Sequence, residues 1–471
     1  MKVDLYLRFQ TVFGQKLSLI GNFSTPGVEE IVPMEFLNEA FWHASVEVDA
    51  KAIPALHYRY LFTNELGETI TEAERHRNVM LQKVTASRIV VIDTWNDAGF
   101  VENAFYTAPF KEVLLPKAKA VKSKKVSAYS HIFKVKAPLL QASETVCLLG
   151  NDEALGAWNM DAPIKMDKVG DWWMAQVDLS KGEMPLVYKY GIYNTKEESF
   201  AYFEGGDNRM LQSSNDALTI LHDGFIQVPA NTWRGAGVAV PVFSLKSANS
   251  FGVGEFTDIK LLVDWAAQTG MKLIQLLPVN DTIANNTWMD SYPYAAISAF
   301  ALHPVYINLA RVAGKKYAKT VQSLSKKQKS LNALPEVDYE KVMQFKMSAL
   351  RELYDGQEGE FLKEDGYKTF VEANEHWLLP YAAFCFLRDK YGTADFSQWK
   401  THSVYNEQEV ERLASPKNKS HKQLLFYFFI QYHLHLQLKE ATDYAHRKGI
   451  VMKGDIPIGI YRYGSDAWTA P

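Results

Sequence analysis

The chain has 471 residues, of which 47% are hydrophobic and 22% are charged, and 51 basic residues nearly balance 54 acidic ones. Because a single core stops growing at roughly 250–300 residues, this length predicts two or three domains. The composition is that of a globular chain. The net charge of -3 excludes a global field for nucleic acid or anionic lipid, so we expect neither partner.

Cysteine usage and apolar runs indicate the cellular setting. Cys147 and Cys385 are far apart in sequence, which excludes a paired metal or redox spacing and a disulfide-stapled design. His433 and His435 are two residues apart on a predicted helix and therefore lie on different faces, which argues against a metal pair. The chain starts without an apolar leader, and no apolar run reaches the roughly 18–20 residues of a membrane span, so we expect a cytoplasmic location.

The first 210 or so residues contain an internal repeat with an offset of about 130 residues. Four landmarks recur in the same order: 17–22 at 146–151, 41–42 at 172–173, 56–60 at 186–190, and 80–81 at 210–211. Each copy alternates short apolar runs with turn residues, which predicts an antiparallel β-sandwich. We predict separate sandwiches at 1–110 and 128–225, joined by a Lys-rich segment at 111–127. We interpret that segment as a solvated linker rather than a polyanion site.

The pattern changes after residue 226. An apolar run at 237–245 precedes a helix that Thr257 can cap and that Gly270 ends, and a second apolar run follows at 272–279. This βαβ unit predicts a parallel sheet or barrel. Helical patterns at 337–395 and 423–447 lead into a third buried strand at 450–460.

The second repeat carries a distinctive series of motifs: Leu149-Gly150-Asn151, Leu155-Gly156-Ala157-Trp158, Tyr188-Lys189-Tyr190, Phe203-Glu204 and Asn208-Arg209. Their order and spacing resemble the starch-binding domains of carbohydrate-binding module family 20. The resemblance implies a glucan site of Trp158, Lys189 and Phe203, with Glu204 and Asn208 beside them. Aromatic faces pack on sugar rings while Lys and Asn bind hydroxyls. The alternative is that the two aromatic residues belong to the sandwich core.

The first repeat departs from these motifs. It has no equivalent of the Trp158 motif, Ala73 stands at the position that the offset assigns to Phe203, and Asn78 is retained. A structural, spacing or protein-contact role is therefore at least as well supported for this copy as glucan binding.

Three stretches, at 235–254, 291–304 and 453–468, are similar to the amylomaltases, the 4-alpha-glucanotransferases of glycoside hydrolase family 77. With tandem starch-binding modules in front, the chain resembles the plant-like type of this family over nearly its whole length. The resemblance implies that residues 226–471 are the N-terminal portion of a (β/α)8 TIM barrel with helical insertions. It also implies malto-oligosaccharides and glycogen-like or starch-like glucans as partners, and no metal or organic cofactor.

The same resemblance assigns site residues. Tyr294 matches a glucan-contacting tyrosine, and Asp455 matches an aspartate near the subsite where the bond is cleaved. The neighbouring candidates for substrate binding are Asn280, Asp281, Tyr292, Arg462 and Asp466. The alternatives are that Tyr294 closes a turn after proline and that the aspartates cap local elements.

The family mechanism is retaining transglycosylation, in which a carboxylate nucleophile and an acid/base Glu act as a pair. The family motifs that carry these groups do not occur in the 471 residues, and we count three credible barrel strands instead of eight. We therefore expect the catalytic pair beyond Pro471 and little activity from this chain alone. The alternatives are a non-catalytic glucan-binding protein and a hydrolase that admits water to the same site.

Overall fold

The computed structural model describes residues 1–74, 77–82, 84, 86–115, 128–212, 218–228 and 232–471, except for the side chain of Glu358. The chain divides into two compact units, Met1–Trp233 and Arg234–Pro471. A short helix covers Pro109–Leu114, and the rest of the predicted Lys-rich linker, 116–127, lies outside the described residues. Within the described ranges, no helix combines the length and the apolar character needed to cross a membrane.

The described part of the first repeat forms β-strands with short connections. They are β1 (Lys2–Arg8), β2 (Lys16–Gly21), β3 (Glu30–Pro33), β4 (Glu35–Asn38), β5 (Phe41–Glu47), β6 (Ala55–Thr63), β7 (Thr69–Thr71), β8 (Arg77–Met80) and β9 (Arg88–Thr94). One sheet has the order β3-β2-β6-β7, with β8 also paired to β6. The period-2 burial of β5 and β6 agrees with the predicted sandwich.

The second repeat forms the same elements. They are β10 (His131–Lys136), β11 (Glu144–Gly150), β12 (Ile164–Lys165), β13 (Asp167–Val169), β14 (Trp172–Val177), β15 (Leu186–Asn194), β16 (Ser199–Phe203), β17 (Arg209–Leu211) and β18 (Leu218–Phe225). Its sheet β12-β11-β15-β16, with β17 on β15, corresponds to the sheet of the first repeat.

The two repeats share a sheet, which differs from the expected arrangement of two sandwiches in series, while the bounds 1–110 and 128–225 stay predictions. Their remaining strands form one sheet of order β13-β14-β10-β18-β9-β1-β5-β4, in which β18 and β9 pair in parallel. Both strands bury nearly every residue on both faces. Such strands are typical of sheet interiors, where a strand has a neighbour on each side. Each of these two strands has one neighbour in its own repeat and the second in the other repeat.

Buried polar clusters hold this junction together. Asp93 accepts hydrogen bonds from the hydroxyls of Tyr58 and Tyr60, at 2.9 and 2.7 Å, and the ring of His222 lies 2.5 Å away. In the second repeat Asp223 takes the place of Asp93, and it accepts a hydrogen bond from Arg8 at 2.6 Å. Each buried aspartate is therefore reached by a side chain of the other repeat.

Strand pairing corrects the alignment of the two copies. Tyr58 pairs with Arg77 as Tyr188 pairs with Arg209, so the equivalent of the 210–211 landmark is 78–79 and not 80–81. The equivalent of Phe203 is Thr71, since Phe203 pairs with Gly191 as Thr71 pairs with Leu61. The shift of two residues arises because the β15–β16 hairpin contains one extra residue at a register irregularity near Ile192 and one more in its loop. The previously assigned Ala73 and Asn78 are therefore not the counterparts of the glucan-site residues.

The second unit contains the three predicted strands, β19 (Gly237–Val240), β20 (Leu273–Leu276) and β21 (Val451–Lys453), in one parallel sheet. Its described part shows no closed barrel. The helices are α1 (Ile259–Gln268), α2 (Leu309–Ala313), α3 (Ala318–Ser323), α4 (Ser325–Asn332), α5 (Tyr339–Phe361), α6 (Asp365–Tyr391), α7 (Glu407–Ala414), α8 (His421–Arg447) and α9 (Ser465–Thr469).

The βαβ unit forms as predicted except at its cap. Glu255 and Asp258 form a capping box at the turn that leads into α1, in place of the predicted Thr257 cap. Gly270 follows the helix with φ +77°, a backbone conformation that favours glycine, so the helix ends where predicted. Because β19, β20 and β21 pair in parallel, their carboxyl ends lie at one edge of the sheet.

Candidate functional sites

An aromatic cluster covers the outer face of the second repeat's sheet. Trp158, Phe200 and Phe203 lie half-buried over the side chains of Cys147, Leu149 and Tyr193. The ring centroids of Trp158 and Phe203 are 6.2 Å apart at 70°, and those of Phe200 and Phe203 are 4.6 Å apart. The structure thus brings the two predicted aromatic residues together at the surface, outside the sandwich core.

A strained turn presents Trp158. Gly156, Ala157 and Trp158 all have positive φ, of 78°, 43° and 60°. For the two residues with side chains this backbone costs about 1–3 kcal/mol each, and surrounding structure must enforce it. Leu155 provides that anchor because it is fully buried beneath the turn. The turn therefore holds the indole away from the core.

Lys189 lies beside the same cluster. It is opposite Leu149 in the β11–β15 pairing, and its Nζ donates to the carbonyl of Gly206 at 2.7 Å. Gly206 belongs to the loop that carries the exposed Asn208. The structure therefore joins Lys189, beside the aromatic cluster, to the loop that carries Asn208.

Glu204 differs from its predicted neighbours because it is only 4% exposed. Its two carboxylate oxygens accept hydrogen bonds from Arg209 at 2.9 and 2.8 Å. It also accepts a hydrogen bond from the backbone of Tyr190. Glu204 thus supports the loop from beneath and does not face a ligand.

The described part of the first repeat has no comparable face at the equivalent positions. The counterpart of Lys189 is Arg59, whose guanidinium forms an ion pair with Glu29. The counterpart of Phe203 is Thr71, and Phe23, which follows the Asn22 landmark, is buried in the core. Neither an aromatic plane nor a free cation stands at these equivalent positions among the described residues.

A second candidate site lies at the carboxyl edge of the parallel sheet. The hydroxyl of Tyr294 donates to Oδ2 of Asp455 at 3.1 Å. This hydrogen bond raises the pKa of Tyr294 from its ordinary value. Tyr292 is 61% exposed, and its ring centroid lies 5.7 Å from that of Tyr294. Two aromatic faces and a carboxylate therefore meet beside the end of β21.

Asn280 and Asp466 hold the loop that carries these tyrosines. Asn280 Nδ2 donates to the carbonyl of Ala299 at 2.7 Å, and the backbone N–H of Ala299 donates to Asp466 Oδ2 at 2.7 Å. A parallel bridge between Ala296 and Ile460 joins the same loop to the segment after β21. Both predicted residues therefore position the loop through its backbone.

Asp281 and Arg462 lie apart from the Tyr294–Asp455 pair. Asp281 is 1% exposed and accepts hydrogen bonds from the hydroxyl of Tyr381 at 2.6 Å and the N–H of Ile283 at 3.0 Å. Burial raises its pKa to about 6. Arg462 is exposed, with its guanidinium carbon 5.7 Å from the ring of Tyr463.

Two features escaped the sequence analysis. Phe200 belongs to the aromatic cluster, but the irregular hairpin hides its register in the sequence. Trp288, which is 69% exposed, precedes the tyrosine loop, and its backbone N–H donates to the carboxylate of Glu340. Only its position next to the 291–304 stretch could have indicated it. The described residues contain no group of three side chains suited to hold a metal.

Two known families match separate parts of the chain. Residues 240–471 match the family described as 4-alpha-glucanotransferase. Residues 130–220 match the family described as starch binding domain. The first match includes the Tyr294–Asp455 pair, and the second includes the aromatic cluster with Trp158.

Two curated relatives are described as 4-alpha-glucanotransferases. The 4-alpha-glucanotransferase DPE2 of Oryza sativa subsp. japonica is 35% identical over 488 residues, which cover 99% of this chain and 51% of the rice protein. The 4-alpha-glucanotransferase of Chlamydia muridarum is 30% identical over 49% of this chain and 42% of its own length. The chain thus spans about half the length of these curated relatives or less. A solved amylomaltase from Streptococcus agalactiae, in complex with acarbose, is 22% identical with a TM-score of 0.41, covering 51% of this chain and 46% of its own.

Proposed function

We propose that the protein transfers α-1,4-linked glucosyl or glucanosyl units, because residues 240–471 match the family described as 4-alpha-glucanotransferase and residues 130–220 match the family described as starch binding domain. The donors are maltose or malto-oligosaccharides, and the acceptors are glycogen-like or starch-like glucans. The reaction retains anomeric configuration through a double displacement, in which a sugar hydroxyl replaces water as acceptor.

The meeting of Tyr294 and Asp455 carries this proposal. These residues are 161 positions apart in sequence and lie 3.1 Å apart at the carboxyl edge of a parallel sheet. Active sites of parallel α/β folds form at that edge. Tyr294 and Tyr292 would pack against sugar rings of the bound glucan, and Asp455 would accept hydrogen bonds from its hydroxyl groups.

We extend the proposal to the fold. The parallel strands β19, β20 and β21 would be the first part of a (β/α)8 barrel, with the nucleophile and the acid/base on later strands. Asn280 and Asp466 would keep the tyrosine loop at the donor site by holding Ala299. On this proposal the 471 residues bind glucan and transfer little on their own.

Docking on polymer is assigned to the aromatic cluster of the second repeat. Trp158 and Phe203 present ring faces, while Lys189 and Asn208 supply hydrogen-bond donors at the margin. A neutral polysaccharide needs such planes and donors rather than net charge. We also propose a cytoplasmic location, in keeping with two free, buried thiols.

Maltotriose disproportionation tests the function. The protein isolated from its source is incubated with maltotriose, and products are separated by chromatography. We expect glucose together with longer oligomers, and Asp455→Asn to lower the rate at least tenfold. Asp365→Asn, in which a side chain that is 98% exposed changes, is the matched control and should leave the rate unchanged.

The competing functions give different products. A net gain of reducing ends without longer oligomers would indicate a hydrolase. Binding to glycogen without any turnover, for a native protein whose mass is 53.5 kDa, would favour a non-catalytic glucan-binding protein. Either result would overturn the transferase proposal.

A further inference from the structure

A groove crosses the junction of the two repeats, within the first unit and apart from the aromatic cluster of Trp158. It consists of two cavities, of about 400 and 640 Å³, that share Trp95 and Phe100 in their walls. The smaller cavity reaches the Gly205–Gly206 turn of the second repeat, and the larger one reaches Phe9 of the first. We call these two cavities together the junction groove.

Aromatic rings line the junction groove along its length. The ring centroids of Phe9 and Trp95 are 4.8 Å apart, and those of Phe100 and Phe225 are 6.3 Å apart. Phe100 is 45% exposed although it sits between the two cavities. A large exposed ring between concave surfaces is available to pack on a flat, partly apolar ligand.

The positive charges that line the junction groove are neutralised by carboxylates. Each cation that lines it in the described part of the chain has a carboxylate partner: Arg8 with Asp223, Arg77 with Glu72, Lys136 with Glu74, and Arg209 with Glu204. Lys136 is also enclosed by the rings of Tyr106 and Trp172, at 4.9 and 4.8 Å. These cations are therefore committed to the fold, and a phosphorylated or otherwise anionic ligand would find no unpaired partner among them.

The remaining polar groups suit hydroxyls. Glu102 lines the smaller cavity beside the exposed side chains of Asp207 and Gln227. Carboxylates accept hydrogen bonds from hydroxyl groups, and an amide both donates and accepts. Aromatic planes with such groups at their margin match the two kinds of surface on a glucose ring.

We propose that the junction groove binds a segment of α-1,4-glucan and is a second polysaccharide site of the first unit. The proposal rests on the proposed function, since that function supplies the polymer. The first repeat, which lacks its own aromatic face, contributes Phe9, Trp95 and Phe100 to this groove. The site exists only because β9 and β18 join the repeats in one sheet.

Affinity electrophoresis of the full chain in glycogen-containing gels tests the proposal. The variants are Phe100→Ala, Trp158→Ala, and the two combined. Phe13→Ala is the matched control, because that ring is fully exposed and does not line the groove. We expect Phe100→Ala to raise the glycogen concentration for half-maximal retardation roughly five- to tenfold, the double variant to be retarded least, and Phe13→Ala to match wild type.

Calorimetric titration with maltoheptaose separates this site from the others. We expect the number of bound maltoheptaose molecules per chain to fall by one in Phe100→Ala and by one in Trp158→Ala. If Phe100→Ala lowers the unfolding temperature, Gln227→Ala replaces it. Gln227 is exposed, so this substitution leaves the aromatic rings of the groove in place.

The outcomes distinguish the junction groove from the proposed function. If both glycogen retardation and maltoheptaose stoichiometry stay unchanged in Phe100→Ala and Gln227→Ala, glucan binding in the junction groove is overturned. The Trp158→Ala variant and the maltotriose assay would still test docking and transfer. Loss in Phe100→Ala with none in Trp158→Ala would support the groove and overturn docking at Trp158. Retardation lost in Phe100→Ala without any change in maltoheptaose stoichiometry would overturn a glucan segment as the occupant.

Discussion

Two buried aspartates show how environment sets the charge of the same side chain. Burial raises the pKa of Asp281 to about 6, although Arg388 and the Tyr381 hydroxyl favour its ionised form. Asp93 is equally buried, but Arg77 and His222 outweigh the cost of burial and hold its pKa well below the usual range. Asp281 therefore changes charge in a mildly acidic medium, and Asp93 stays ionised throughout it.

Asp281→Asn tests this difference through stability. Because the pKa of Asp281 is raised from 3.8 to about 6 in the folded state, the protonated group stabilises the fold below pH 4, and this contribution is lost as the pH rises through 6. The loss is at most about 3 kcal/mol. Relative to Asp281→Asn, wild type should lose stability between pH 4 and pH 6, as measured by calorimetric unfolding of the full chain.

The matched control is again Asp365→Asn, which keeps the wild-type pH profile if Asp281 is responsible. Parallel profiles for wild type and Asp281→Asn would show that Asp281 titrates normally and that its burial is incomplete in solution.

At the scale of elements, the β9–β18 pair is the decisive connection of the first unit. The two strands place Asp93 and His222 opposite each other in register, and Arg8 of the neighbouring β1 reaches Asp223. Apolar side chains on both faces and a charged network at their ends make this a core rather than a contact between finished domains.

Asp93→Asn should therefore destabilise both repeats. Asn at this position leaves Glu72 as the remaining carboxylate partner of Arg77 and removes the charge that the hydroxyls of Tyr58 and Tyr60 and the ring of His222 face, at a cost of roughly 1–3 kcal/mol. We expect hydrogen exchange, measured by mass spectrometry, to accelerate in β1 and β9 and equally in β10 and β18. Asp223→Asn should give the same pattern.

Asp49→Asn is the control, because Asp49 is exposed and caps only a local turn. Faster exchange confined to the mutated repeat would contradict the shared core.

Sequence patterns predicted which segments form strands better than they predicted which strands pair with each other. Period-2 alternation and the βαβ pattern located the strands of both repeats and the three parallel strands, because local burial sets those patterns. The β9–β18 pairing could not be predicted, since a strand that is apolar on both faces does not specify its neighbour. The misassigned Ala73 had a similar cause, because one irregular hairpin shifts the copies by two residues after Tyr60.

The sequence motifs located candidate site residues along the chain but did not indicate which way their side chains point. Tyr294 contacts Asp455 and Trp158 lies at the surface, while their roles in glucan binding stay predictions. Glu204 and Asp281 stand next to such residues in sequence, yet both are turned inward to buried partners. A motif conveys proximity along the chain, and only packing decides which side chains of that motif face solvent.

At the scale of the whole molecule, the proposed function divides between the two units, with polymer docking in the first and transfer in the second. When one unit is bound to a polymer, the other meets the same polymer at a high effective concentration. Loss of docking should therefore affect polymers far more than short oligomers.

Trp158→Ala tests this division of roles. We expect the glycogen concentration for half-maximal retention to rise about tenfold or more, while transfer between maltotriose molecules by the protein from its source stays within about twofold. Trp265→Ala, at a tryptophan of the second unit that is 44% exposed, is the control. An equal loss with both substrates would show that the Trp158 face acts in the transfer step itself.

The shared sheet also has a consequence for synthesis of the chain. β9 is complete at Thr94, but its second neighbour begins only at Leu218. At roughly 5–20 residues per second, on the order of ten seconds separate the two on the ribosome. During that interval the backbone N–H and C=O groups along one edge of β9 are unpaired beside apolar side chains, a state prone to wrong pairing. The nascent first repeat should therefore be a client for chaperones until the second has emerged.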